Sequence, residues 1–478
     1  MDDLPGSGFD TITEREKGLH RSLSSRQLSM IAIGGAIGTG LFLGSRFAIG
    51  FAGPAVLVSY FIGAVIALLL MSCMAEMTIA HPTSGSFGAW AEFYLSPLCG
   101  VLVRFAYWAG VVFALGAEVT AVAVYMRFWF PSVAGWVWIL GFALLLVLVN
   151  ASSVKLFGAV EYCFSALKIF AIVAFLILGS WVIFVAPHAT SASATPIGFS
   201  NYTAFGGFFP KGIRGMWVAV LVSLFSYFSI EAVAIAAGEA VDPRRAVMNA
   251  FRATLLRLVL FYLLTLALVL AIVPWTVISA GATESPFITV MVRTHIAGAA
   301  GVVNFVILIA ALSAMNSQLY VTTRMLFSLA RAGFAPSRLG VVARNGVPIA
   351  ALLVSTMGIG TAAILNARYR DRSFLLMLAL ALFGPMFAWL MIFVTHLSFR
   401  RHHANTKLAF RVWGYPYTSL LGAGLMAAAL VTTLFVPEFR PTLIYGIPFL
   451  LVLIVAYNLQ RNRAIATAQA ALGESHQI

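Results

Sequence analysis

Apolar residues fill this chain in long blocks separated by short polar stretches. About twelve blocks approach the ~20 residues a helix needs to cross ~30 Å of hydrocarbon. They lie at 27–48, 53–79, 98–130, 134–153, 159–186, 214–240, 250–276, 298–328, 348–366, 373–397, 415–436 and 441–459. The pattern predicts an all-α polytopic membrane protein with 12 transmembrane helices. A single transmembrane domain at 26–460 would then be flanked by polar tails at 1–25 and 461–478. The N-terminal stretch, with Asp2, Asp3 and Asp10, lacks the short apolar run and small-residue site of a signal peptide.

The first block departs from the rest. Residues 34–45 read GGAIGTGLFLGS, with glycine at 34, 35, 38, 40 and 44. Each glycine weakens a helix by roughly 1 kcal/mol relative to alanine, so clustering them at mid-span predicts a break. Within a bilayer, unpaired backbone is tolerated only where protein or a polar cavity satisfies it. The alternative is close helix packing, since Gly34/Gly38 and Gly40/Gly44 fit a small-xxx-small spacing. Five helices on, FSYFSIEAVAIAAGEA (225–240) places Ser226, Ser229 and Glu231 in mid-span. Serines there either bond freed backbone groups at a second break or bond back to the preceding turn of a continuous helix.

Two breaks at one depth make a zwitterion site. The outer half of the first helix would begin near Thr39, presenting free N–H groups and positive dipole to a carboxylate. The inner half of the first helix, ending near Ala36, and the outer half of the sixth, ending near Phe225, would present carbonyls to an ammonium. A molecule the size of an α-amino acid needs both halves.

Composition agrees with the blocks: 61% hydrophobic, 10% charged, with a mean hydropathy of +0.96. The net charge of +14 is distributed as a topology signal rather than as a nucleic-acid surface. With the N-terminus inside, twenty Lys and Arg fall on the inner side and nine on the outer, with Lys168 within the membrane. Both termini are therefore expected to be cytoplasmic; the cluster Arg368, Arg370 and Arg372 is a local contradiction. Cys73, Cys99 and Cys163 are far apart, no histidine pair has metal-ligand spacing, and no phosphate-binding GxxxxGK[ST] motif occurs. No metal, cofactor or enzymatic centre is expected.

Ionisable residues within spans each cost roughly 2.5–3.5 kcal/mol on insertion scales and need a reason. Lys168 either snorkels or takes up and releases a proton. Glu118 is a structural carboxylate, a substrate contact or a proton carrier. Glu231 caps backbone at the second break, gates the site, or both. Glu239 reads as structural, and Glu76, Glu92 and Glu161 read as solvated or ion-paired near the inner surface.

Several motifs together resemble amino-acid permeases of the amino acid–polyamine–organocation superfamily, specifically the bacterial amino acid transporter family. They are GGAIGTGLFLGS with AGPA (52–55), AEMTIAHPTSGSF (75–87), GEAVDPRRAVMNA (238–250) and LSAMNSQLYVTTRMLFSLARAGFAP (312–336). The resemblance covers roughly residues 18–460. It implies a five-plus-five inverted repeat of leucine-transporter type with broken helices 1 and 6. It also implies that Thr39 and Gly40 bind the substrate carboxylate through backbone and hydroxyl, with Gly38 in the same substrate site, and that carbonyls of Ala36, Phe225 and Phe228 take the amino group. Lys168, in KIFAI, matches a lysine that stands where sodium sits in sodium-coupled relatives. Ser229 departs from the family, where glycine is common in the sixth-helix break.

The leading expectation is uptake of an amino acid across the cytoplasmic membrane by proton symport. Its partners would be the amino acid, the proton and membrane lipid, with no nucleic acid. The alternative is a sodium-coupled or exchange-mode transporter of the same fold, against which an ammonium at the cation position argues. No catalytic constellation supports an intramembrane enzyme, and the two expected broken helices argue against a passive channel. Side chains such as Phe225, Phe228, Ser229 and Glu118 would set specificity. A neutral amino acid is favoured, and a Glu118 facing the pocket would permit a cationic one.

Overall fold

The structure, a computed structural model, describes Phe9, Ile12, Glu14 and residues 37–83, 85–185, 197–231, 234–235, 248–249, 251, 258–280, 285–294, 296, 298–369, 372–404, 408 and 410–475. Among the described residues helix is the only regular structure. The helices follow the apolar blocks. A π-helical turn, Gly40–Gly44, leads into α1 (Ser45–Ala52), and a turn at Gly53 (φ 62°) and Pro54 leads into α2 (Val56–Ala80). Then come α3 (Ser86–Tyr94), α4 (Pro97–Arg127), α5 (Gly135–Ser152) and α6 (Val154–Phe184). The second half holds α7 (Gly212–Tyr227), α8 (Thr265–Ile272), α9 (Pro286–Arg293) and α10 (Ala299–Arg331). It continues with α11 (Ile349–Ser355), α12 (Met357–Arg368), α13 (Ser373–His402), α14 (Tyr417–Thr432) and α15 (Arg440–Ser475).

Among the described residues nine helical stretches are long and apolar enough to cross a membrane, the first being Gly40–Ala80 with its turn at Gly53, and Gly212–Tyr227 and Phe261–Ile272 are shorter apolar helices. The protein is a multi-pass membrane protein. Its helices α3 and α9 lie between the apolar blocks, where only connections were expected.

Helix α4 is the hub, packed most extensively on α13 and α10 and buried on nearly every face. It reaches α13 through small residues: a side chain on Gly384 would collide with the Ala106 carbonyl, and one on Gly110 would strike Pro385. Lipid is as apolar as leucine, so such backbone-to-backbone approach does the packing that hydrophobicity cannot. Helix α6 instead divides into two faces. Phe170 (72% exposed), Ile177 (67%), Trp181 and Phe184 form a lipid stripe, while Glu161, Ser165, Lys168, Ile172 and Phe175 form a buried one. The spacing within each stripe is three, four or seven residues, as one helical face requires.

At one end of α2 and α13 a polar clamp ties in the chain before α14. Glu76 accepts from Arg400 (2.9 Å), from the backbone N–H of Val412 (2.8 Å) and lies 3.1 Å from His396 Nε2. Glu92 pairs with Arg104 at 2.7 Å. These two carboxylates are ion-paired, as their positions implied.

Candidate functional site

Glycines bring the start of the first described span against its neighbours. Its helix begins at Thr39, whose backbone N–H donates to both oxygens of Glu118 on α4, at 3.1 and 3.3 Å. A carboxylate at a helix N-terminus satisfies an orphan donor and complements the macrodipole. The N–H expected to be open to a ligand is therefore taken by the protein's own carboxylate. Gly38 lies beneath it, where a Cβ would stand 2.6 Å from Glu118 Oε1 and 2.9 Å from Ala314 Cβ. A Cβ on Gly40 would stand 2.7 Å from Ser226 Cα. Among the described residues the hydroxyl of Thr39 is buried beside Glu118 and makes no hydrogen bond of good geometry. Ala36 lies outside the described residues.

The second break is at the predicted place. Helix α7 ends at Tyr227, two residues beyond the expected Phe225, because Phe228 turns extended (φ −57°, ψ 159°) and Ser229 adopts φ 76°. Only glycine visits that region freely, and another residue pays roughly 1–2 kcal/mol. Glu231 supports the turn. Its Oε1 accepts from the Ser229 N–H (3.1 Å) and the Tyr107 hydroxyl (2.8 Å), and its Oε2 from Trp389 Nε1 (3.0 Å). Tyr262 donates to the Ser226 carbonyl at 2.8 Å. Replacing Ser229 with glycine is expected to leave folding and uptake near wild type, whereas valine, whose branched Cβ resists positive φ, should lower the melting temperature and uptake together. Thermal unfolding in detergent and uptake in liposomes check this.

Gly38, Gly40, Glu118, Phe225, Phe228, Ser229 and Glu231 line one central cavity, joined by Val111, Ala114, Ser226, Gln318 and Pro385. The cavity holds about 20 Å³, room for a water molecule rather than an amino acid. The site is closed around Glu118, with Phe228 edge-on to Trp389 at 5.3 Å. Gln318 of α10 and Pro385 and Trp389 of α13 were not legible from sequence, since apolar or amide residues in an apolar span carry no signal of which way they face.

Lys168 stands apart from this cavity. Fully buried, it donates to the Ile37 carbonyl (3.2 Å) and to Ser313 Oγ of α10 (2.8 Å), bridging the chain just before Thr39 to α10. It does not snorkel. Glu161 is a correction: it lies in the core rather than near the surface. It accepts from Ser313, from Asn316 (3.1 Å) and from Ser165 (3.3 Å). The seven-residue spacing between Glu161 and Lys168, both on one helical face, was the available signal.

Comparison with known proteins agrees with this architecture. The family model described as amino acid permease matches residues 27–469. The gamma-aminobutyric acid permease of Bacillus subtilis is 34% identical over 463 residues, covering 96% of this chain and 97% of the relative. The amino-acid permease RocE of the same organism is 34% identical over 458 residues (94% and 97%). The uncharacterized amino acid permease YtnA, also from that organism, is 34% identical over 449 residues (93% and 96%).

Proposed function

The chain belongs to the amino acid permease family, and on that premise we propose that it takes up an α-amino acid across the cytoplasmic membrane by proton symport. It is a transporter of amino acids and not an enzyme; the coupling ion, the substrate and the residue roles are this proposal. The observation that carries it is the meeting of a helix start at Thr39 and a helix end at Tyr227 around one small cavity, with a buried lysine bonded to Ile37 just before that start. The substrate carboxylate replaces that of Glu118 at the Thr39 and Gly40 end, and its ammonium meets carbonyls of Ala36, Phe225 and Phe228. The fold proposed with it is twelve crossings in a five-plus-five inverted repeat. The stretch Gly40–Ala80 would supply two crossings at its Gly53 turn, Gly212–Tyr227 the half before the second break, and Phe261–Ile272 the described part of the seventh crossing. Residues 1–25 and 461–478 are the cytoplasmic tails of the domain 26–460, the last helix running on to Ser475.

Phe225, Phe228, Val111 and Ala114 give the cavity mostly apolar walls, which favours a neutral side chain. Glu118 supports a second reading, a cationic amino acid, because a carboxylate released from Thr39 remains in the cavity wall. Uptake of a labelled amino-acid panel into proteoliposomes, with and without an imposed pH gradient, separates these readings. A sodium requirement without any response to the proton gradient would overturn proton symport.

Thr39→Val is expected to raise the apparent KM several-fold, because valine has no hydroxyl to donate to the substrate carboxylate. Such a charge-assisted bond contributes roughly 1.5–3 kcal/mol. An unchanged KM in initial-rate uptake would leave only the backbone contact.

A further inference from the structure

Glu161 takes no part in lining the amino acid cavity, yet it is fully buried two helical turns from Lys168 on the same face of α6. Between the two ionisable groups stands one hydroxyl. Ser313 Oγ accepts from Lys168 Nζ at 2.8 Å and is hydrogen-bonded to Glu161 Oε1. On the other side of Glu161, Asn316 Nδ2 donates to Oε2 at 3.1 Å, and Asn150 Nδ2 donates to Asn316 Oδ1 at 2.8 Å. Asn150 borders a cavity of about 10 Å³, close to the size of one water, walled also by Thr323, Arg324, Gly346 and Pro348. That cavity adjoins the largely exposed loop 341–345. A polar line thus runs from the lysine through a carboxylate towards the end of the bundle where α6 begins.

We propose that Glu161 is a second proton carrier, receiving the coupled proton from Lys168 through Ser313 and passing it to water at that end. The inference rests on the reading of Lys168 as the coupling amine. In the transfer, an N–H bond of the Lys168 ammonium breaks as its proton moves to Ser313 Oγ. The original Ser313 O–H bond breaks in the same event, and that proton joins Glu161 Oε1. Ammonium and carboxylate become amine and carboxylic acid, so the step leaves no isolated charge in the bilayer core. Glu161 then gives its proton to water and is a carboxylate again, and the amine takes a new proton when the site faces the opposite side.

The surrounding charges come from several elements. Glu118 of α4, like Glu161, lies within electrostatic reach of Lys168. From α10 come Tyr320, stacked at 4.3 Å on Phe157 one turn before Glu161, and Arg324, whose guanidinium covers that ring at 3.2 Å. Helices α5 and α8 carry no titratable side chain. On α6 itself, Tyr162 and Cys163 are exposed.

The test is transport by Glu161→Gln, Glu161→Asp and Lys168→Ala protein in liposomes, read as pH-gradient-driven accumulation and as counterflow at equal pH. For Glu161→Gln, accumulation should fall at least about tenfold, the scale of losing one proton-transfer group, while counterflow falls by no more than about threefold. Glu161→Asp should recover part of the accumulation, and the pH profile of counterflow should flatten only in the glutamine variant. Wild-type accumulation by Glu161→Gln while Lys168→Ala has lost it overturns the role of Glu161 alone. Wild-type accumulation by Lys168→Ala overturns the coupling reading beneath it. Equal loss of counterflow and accumulation in both Glu161 variants also overturns the proposal, since that marks a structural carboxylate.

Discussion

Lys168→Ala is expected to abolish amino acid accumulation driven by an inward proton gradient, and substrate binding should lose its dependence on pH. The charged amine donates to Ile37 just before Thr39 and to Ser313 on α10. Each charge-assisted bond contributes roughly 1.5–3 kcal/mol. A neutral amine holds the two helices together less firmly, so protonation favours closure around the substrate. Linkage then requires that bound substrate raise proton affinity by the same factor. Lys168→Arg should fare little better, because guanidinium keeps its charge in proteins and cannot complete the cycle. The measurement is accumulation of labelled amino acid in proteoliposomes under an imposed gradient. Retained accumulation in Lys168→Ala would move the proton to Glu118 or Glu231.

Gly40→Val should reduce uptake to background while the protein still inserts and folds. The first Cβ atom alone would come within 2.7 Å of the Ser226 backbone, and the valine methyls would press further. Because the obstacle is backbone, no rotamer relieves the clash, and separating the helices costs of the order of 1–3 kcal/mol. The separation falls where the first helix meets the end of α7, so the cavity loses its shape before the bundle loses its stability. Uptake, with a folded, monodisperse peak on size exclusion as the control, decides this. Near wild-type transport would mean that the two breaks need not touch.

Much of the site could be read in the chain because backbone-level features leave sequence signals. Glycine clustering pointed to Thr39, where the first described helix begins, and the Ser226–Ser229–Glu231 group pointed to the end of α7. Glu118 and Lys168 stood out because a charge in an apolar span demands a partner. The signal failed for groups whose role depends on which face they present. Glu161 sits only seven residues from the start of α6, a depth at which a carboxylate can be solvated. Burial followed from α6 turning its other face, with Phe170 and Ile177, outward.

The sequence by itself determined the class of the protein, the order of its described helices and where α7 ends, because span length, charge and helix-weakening residues act locally along the chain. Tertiary structure alone decided what the helix ends meet: Glu118 on the Thr39 N–H, Ser226 against Gly40, Trp389 and Tyr107 on Glu231, and Ser313 shared by Lys168 and Glu161. In an all-apolar span, the hydrophobic pattern that orients a helix in water is nearly erased, since lipid and core are equally apolar. Rotation about each helix axis is then set by close contacts between small residues and by hydrogen bonds to distant partners, such as Gly110 with Gly384 and Lys168 with Ser313.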